Sequence, residues 1–323
     1  MAQAGRLGEP RVKFGVHTAL NGVEWSQLLE FWRFLDRETA FHSAWVFDHF
    51  VPPNPGADPS GPCLEGWTAL AALAQASERL RLGCLVTGNT YRHPAVLAKM
   101  AATIDHISNG RLEFGIGAGW HEDEHTAYGI PFYTVKERQD RLEETVQLIR
   151  LLFQAEGPVD FQGRYYQLRQ APFSPPCLQR PHPPIMVGGS GEKRTLRTVA
   201  RYGDMMNVSG PPQVVRRKIE VLEEHCQRAG RDPAEIVKSI LAVVAVTDDQ
   251  GSVDFMASAM ATSFGLTHDE AKRVTLVGSA EHVRAVVERY AELGVTYIIV
   301  LSEGPWKREE YARLSDEVVS AFL

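Results

Sequence analysis

A (β/α)8 barrel with insertions is the fold class this sequence predicts, and three observations carry the prediction. Short apolar segments recur eight times along the chain, most of them followed by a polar or glycine-rich turn and an amphipathic helix. Strands that alternate with helices build a parallel sheet, because each return crossover needs a helix. The first strand runs into VHTALNG, without the glycine fingerprint of an open, doubly wound nucleotide-binding sheet. Closure into a barrel removes both sheet edges and suits a chain of 323 residues, 44% of them hydrophobic.

The elements follow in order. VKFGVH (12–17) reads as the first strand and leads to a helix with Trp25, Leu28, Leu29 and Trp32 on one face. SAWVFD (43–48) is the second, followed by the Pro/Gly-rich loop 52–62 and a helix around 66–79. RLRLGCLV (79–86) is the third, and the next helix starts near Pro94, a residue favoured at the first helical position. RLEFGIG (111–117) is the fourth, with Leu142, Val146, Ile149 and Leu152 marking the inner face of a long helix after it. PIMVGG (184–189), DMMNV (204–208), KSILAVVAVT (238–247) and VTYIIVL (295–301) complete eight. Two stretches interrupt the alternation: 156–183, which reads as a β-hairpin turned at Gln162-Gly163, and 248–277, which reads as a helical insertion. Residues 1–10 read as a frayed tail without an apolar signal core, and 11–323 as one barrel domain.

Composition narrows the function. A net charge of −6 argues against nucleic-acid and anionic-membrane partners, which need a basic face. No apolar run approaches the roughly 18 residues of a spanning helix. Cys63, Cys84, Cys177 and Cys226 show no C-x-x-C spacing and read as buried thiols in a reducing cytoplasm. In a barrel the site lies at the C-terminal strand ends. Those ends carry His17, then Asp48-His49, then Thr87, Asn89 and Arg92, then Trp120-His121, then Gly188–Gly191 and Asn207.

Four motifs carry chemistry. GGSGEKRTLRTVARYGD (188–204) joins the fifth strand to a helix; its glycines let backbone N–H groups meet an anion, with Lys193 and Arg194 adding charge. The competing reading is a tight turn with solvated cations. GIGAGW (115–120) permits a flat ring to lie close over the backbone, although Trp120 spoils a G-x-G-x-x-G match. FDHF (47–50) sets an acid beside a histidine, a proton-transfer group near neutral pH, against the alternative of a structural histidine. HEDEH (121–125) is a literal H-E-x-x-H, yet its helix is too charged and too soon stopped by Gly129 and Pro131 to support a zinc site, so no metal is expected.

Residues 86–130 together with IMVGGSGEKRTLRTVARYGD (185–204) resemble the luciferase-like monooxygenase superfamily, and within it the deazaflavin (coenzyme F420)-dependent oxidoreductases. The blocks RHP, DHIS-x-GR and GGSGEKR occur in the family's order, and the likeness covers about residues 11–322. It implies a bacterial-luciferase-like barrel with Asp48 and His49 beside the coenzyme ring. Thr87, Gly88 and Asn89 then lie along the ring edge, and Ala118, Gly119 and Trp120 against its face or side chain. Gly188, Gly189, Ser190, Gly191 and Arg194 hold the phosphate, and a cis peptide joins Leu85 to Val86. Trp120 stands where some sugar-phosphate dehydrogenases of the family have a catalytic glutamate, which puts that activity in doubt. The expected function is hydride transfer between F420 and a small-molecule substrate, with His49 moving the proton and loops 52–62 and 248–277 shaping the pocket. The alternatives are a reduced-FMN monooxygenase on the same scaffold and a non-catalytic flavin-binding protein. Tyr165 and Tyr166 are candidates for a homodimer contact or for capping the barrel.

Overall fold

The computed structural model describes residues 11–54 and 56–323, so the expected tail at 1–10 lies outside the described residues. Eight parallel strands close a barrel: β1 Lys13–Thr18, β2 Ser43–Val46, β3 Arg81–Cys84, β4 Leu112–Gly117, β5 Ile185–Gly188, β6 Met205–Val208, β7 Val237–Ala242 and β8 Val295–Ser302. Each pairs with its neighbours in sequence, and β8 returns to β1 with Gly15 opposite Ile299 and His17 opposite Leu301. A two-residue strand, Thr87–Gly88, extends the third strand alongside β4 beyond the Leu85–Val86 peptide, which is cis as the resemblance implies.

The alternation of each strand divides the core in two. Outward residues such as Phe14, Val16, Leu82, Phe114 and Ile298 meet the helix ring in one large cluster. Inward residues Trp45, Leu85, Met186, Met205, Tyr297 and Ile299 fill the barrel. At the bottom, Arg81 Nε donates to Glu113 (2.6 Å), the Tyr297 hydroxyl donates to the other Glu113 oxygen (3.1 Å), and Trp45 Nε1 donates to Ser43 (2.8 Å). Buried polar groups there are satisfied, so the lower barrel is a plug and leaves only the upper end for a ligand.

The helices start where the sequence offers caps. Helix α1 (Trp25–Glu38) opens on a capping box of Glu24 and Gln27, and α2 (Gly66–Ala76) on the Glu65 carboxylate. Helix α3 (Pro94–Ile107) begins on proline; α4 (Glu122–Ala127) is capped by His121 and α5 (Val135–Phe153) by Thr134. Helices α6 (Thr195–Tyr202), α7 (Pro212–Ala229), α8 (Gln250–Phe264), α9 (His268–Val274), α10 (Ala280–Glu292) and α11 (Arg308–Glu317) complete the ring and its insertion.

The expected hairpin is Val159–Gln162 with Gln167–Ala171. It docks on α5, where the Glu144 carboxylate accepts the N–H groups of Arg164 (3.0 Å), Tyr165 (2.8 Å) and Tyr166 (2.7 Å), and Arg141 lies over the Tyr165 ring. The insertion at 248–277 is helical, α8 and α9. The seventh strand is shorter than its apolar run, because Ala245–Val246 leaves the barrel to pair with Val277–Gly278. All four cysteines are free thiols, and no described helix is long and apolar enough to cross a membrane.

Candidate active site

The C-terminal strand ends open on a cleft of about 380 Å³. Asp48 and His49 after β2 line it, as do Thr87 and Gly88, Ala118, Gly119 and Trp120 after β4, and Gly188 to Gly191 after β5. Asn89 and Arg194 do not. Asn89 is buried behind the wall, with Nδ2 3.5 Å from the Arg138 carbonyl, and Arg194 turns to an ion pair with Asp140 of α5. A larger groove of about 630 Å³ lies between the end of α5 and residues 172–181, but it contains none of these residues and is remote from the strand ends.

His49 is held by a residue far away in sequence. Its Nδ1 lies 3.0 Å from Glu124 Oε2, and the same carboxylate accepts the Tyr91 hydroxyl and the backbone N–H groups of Phe50 and Val51. Glu124 has no side-chain exposure. Burial alone raises a carboxyl's pKa; here the hydrogen bonds from His49, Tyr91 and Phe50 outweigh it and bring Glu124 down to about 2. An ionised carboxylate only accepts, so His49 Nδ1 carries the N–H that meets it. The Trp120 ring meets the imidazole edge-on at 5.3 Å, fixing its tilt from the solvent side.

Asp48 faces away from His49. It takes a bidentate pair from Arg92, at 2.6 and 3.0 Å, and Arg92 also reaches Glu65. Burial pushes the Asp48 carboxyl up to about 6 against the pull of Arg92, which leaves it ionised at pH 7. Beneath the cleft, burial lowers His17 to about 4, with the nearby His49 adding to the effect, so His17 is neutral at pH 7; its Nδ1 has no partner.

The floor and one end are glycine. A Cβ at Gly117 or Gly188 would come within 2.7 or 2.9 Å of the Val86 side chain, so the floor stays flat where a planar ring can rest. At the end, Gly189, Ser190 and Gly191 are solvent-exposed and precede the turn into α6. The Gly189 N–H is tied to the Asn207 carbonyl (3.0 Å), and Thr195 Oγ1 is held by Gln139 (3.1 Å). Two charged residues of this loop are engaged elsewhere: Glu192 pairs with Lys218 and Arg194 with Asp140.

The H-E-x-x-H sequence is used differently from a metal site. Helix α4 has only six residues, and its histidines face other partners. His121 Nδ1 accepts the Glu124 N–H, and His125 Nε2 lies 2.6 Å from Thr90 Oγ1. No cluster of three metal-ligating side chains occurs among the described residues.

Sequence reasoning named Arg92 among the strand-end residues but missed Glu124, Tyr91 and Glu65 as parts of this wall. The sequence offered Glu124 only as one of three consecutive acidic residues inside the H-E-x-x-H spacing. A buried carboxylate with four donors makes a testable stability term. Its pKa is depressed from 4.5, so the stabilisation is complete above the unfolded value and fades as pH falls towards about 2. Glu124→Gln should destabilise the fold by about 3 kcal/mol at pH 7 and by much less at pH 3. Urea unfolding at the two pH values measures this, and a difference that stays constant with pH would refute it.

Residues 11–265 match the family model described as luciferase-like monooxygenase. An uncharacterized protein of Mycobacterium tuberculosis is 30% identical over 52% of this chain; the match spans 58% of that relative's length, under two thirds. An F420-dependent glucose-6-phosphate dehydrogenase of Kineococcus radiotolerans is 28% identical over 87% of this chain and 89% of its own. Among solved structures, an F420-dependent secondary alcohol dehydrogenase in complex with an F420-acetone adduct superposes with a TM-score of 0.79. It is 22% identical and covers 97% of this chain and 98% of its own, a likeness of fold.

Proposed function

This chain belongs to the luciferase-like monooxygenase family, and we propose that it is an F420-dependent oxidoreductase that transfers a hydride between the deazaflavin and a small organic substrate. The observation that carries the reading is the juxtaposition in one cleft of a flat glycine floor, an exposed glycine loop and an imidazole held through Nδ1. When bound, the coenzyme supplies the hydride acceptor or donor. The chain supplies the rest. In the exposed Gly189–Gly191 loop, whose Gly189 N–H is already tied to Asn207, the backbone N–H groups of Ser190 and Gly191 meet the phosphate, and Gly117 and Gly188 seat the ring. Thr87, Gly88, Ala118, Gly119 and Trp120 bound the ring laterally. The Asp48–Arg92 pair fixes the wall behind it. His49 Nε2 takes the proton from a substrate hydroxyl during oxidation, or returns it to the oxygen during reduction. Arg194, already paired with Asp140, contributes at most a long-range charge.

The test is an anaerobic titration of the protein with F420 and with FMN, followed by turnover in the absence of oxygen. F420 should bind at least about tenfold tighter. Equal or tighter FMN binding, with turnover that requires oxygen, favours the reduced-FMN monooxygenase instead.

A further inference from the structure

The two halves of the barrel mouth differ. The side over β3, β4 and β5 is the glycine floor. On the other side, register and alternation place residues of β7 and β8 inward at the same height. Ile299 and Leu241 belong to the barrel interior, so Leu301, two residues beyond Ile299, also faces inward. Val244 packs in the outer core, which turns Val243 to the mouth. Ile299 is fully buried, yet Leu301 is 36% exposed and Val243 37%. Single exposed aliphatics on an outer surface are ordinary, but inward-facing ones beside a cleft are uncovered wall. Leu241 lines the cleft itself and joins this wall to it. The end of α8 adds Phe264, which lies against Gly210 in the loop after β6 and is also partly exposed.

Among the described residues, the segments after β7 and β8 bring no unpaired Lys or Arg to this wall. Residues 243 to 249 contain no Lys or Arg. After β8, Lys307 is paired with Glu310, Arg308 with Glu30, and Arg313 with Asp248 and Glu317. Glu303 accepts from Asn54. His17, in register with Leu301, is neutral at pH 7. A phosphate or carboxylate placed here loses its hydration and meets no cation in return.

We propose that the inward aliphatic wall of Leu241, Val243 and Leu301, with Phe264 at the end of α8 near it, is the substrate subsite, and that it takes an uncharged alcohol or carbonyl compound with a hydrocarbon body. The proposal rests on the F420-dependent reading for its chemistry. The substrate carbon gives its hydride to the deazaflavin while the hydroxyl proton passes to His49 Nε2, leaving the carbonyl; reduction runs the same transfers backwards. The hydrocarbon body lies on the wall, where its apolar area leaves water.

Two measurements separate the subsite from the coenzyme. Saturation-transfer NMR on the protein without coenzyme should show cyclohexanone binding and no glucose 6-phosphate binding. Leu301→Lys should weaken cyclohexanone binding about tenfold or more, and Val243→Lys should do the same if the first variant fails to fold. In the F420-loaded enzyme, cyclohexanol should be oxidised with a kcat/KM at least about a hundredfold above that of glucose 6-phosphate. Leu301→Lys should lower that value mainly through KM, with F420 affinity within about twofold. Glucose 6-phosphate binding or turnover equal to the neutral probe, or an unchanged neutral probe in both lysine variants, overturns the subsite. Failure of F420 to bind overturns the coenzyme reading alone, because the NMR arm still decides the wall.

Discussion

Replacing His49 by alanine should cut turnover by roughly 100-fold or more while coenzyme affinity changes by less than about threefold. The position follows from the fold. His49 leaves β2 at the catalytic rim, and Glu124 from α4 captures its Nδ1 at 3.0 Å. Because that carboxylate is ionised down to about pH 2, it holds an N–H on Nδ1, and the proposed proton transfer uses the other nitrogen. General acid–base groups of this kind contribute about 10² to 10⁴ in rate. Removing the imidazole leaves the glycine floor and loop intact, so binding persists while proton transfer fails. A structural His49 behaves otherwise: the alanine variant would turn over within a few-fold of the parent and lose stability instead. Steady-state kinetics with a coenzyme titration and a thermal melt on one preparation distinguish the two outcomes.

The sequence and the structure agree where the interactions are local or periodic. Apolar strands alternating with helices, the proline at the start of α3 and the polar turns located all eight barrel strands. They agree less where a side chain's partner lies far along the chain. Glu124 was legible only as part of a metal-like spacing, because its partners, His49, Phe50 and Val51, are more than 70 residues away. Its destination depends on the angle at which α4 leaves β4, which no periodicity records. Arg194 shows the same limit. A cation beside a glycine loop suits an anion, but Asp140 on α5 claims it, and that contact depends on how α5 and α6 pack. The apolar run 240–246 reads as one strand, yet its last residues pair outside the barrel because Val277–Gly278 offers them an edge. The wall at Leu301 and Val243 was invisible for a related reason: inward and exposed are compatible only at the mouth of a barrel.

Gly189→Val should weaken coenzyme binding by roughly 100-fold or more, close to 3 kcal/mol. Gly189 has φ of +128°, a region open to glycine and strained for any residue with a Cβ. A β-branched side chain there costs about 1–3 kcal/mol of strain or forces the turn into another conformation. The turn has little freedom to adapt, because the Gly189 N–H is held by the Asn207 carbonyl at 3.0 Å and an added Cβ already sits 3.4 Å from Thr195 Cγ2. The valine methyl groups must therefore crowd Thr195 at the start of α6 or project over the loop where phosphate has to approach the backbone. Either way the N–H array loses its geometry, which for an anion held by backbone donors is most of the binding. Ser190→Ala is the control, since it removes a hydroxyl and leaves the backbone array; its loss should stay below about tenfold. Fluorescence titration of F420 into the two variants, with circular dichroism to confirm folding, gives the comparison. An unchanged affinity in the folded valine variant would move the phosphate away from this loop, and with it the ring from the glycine floor.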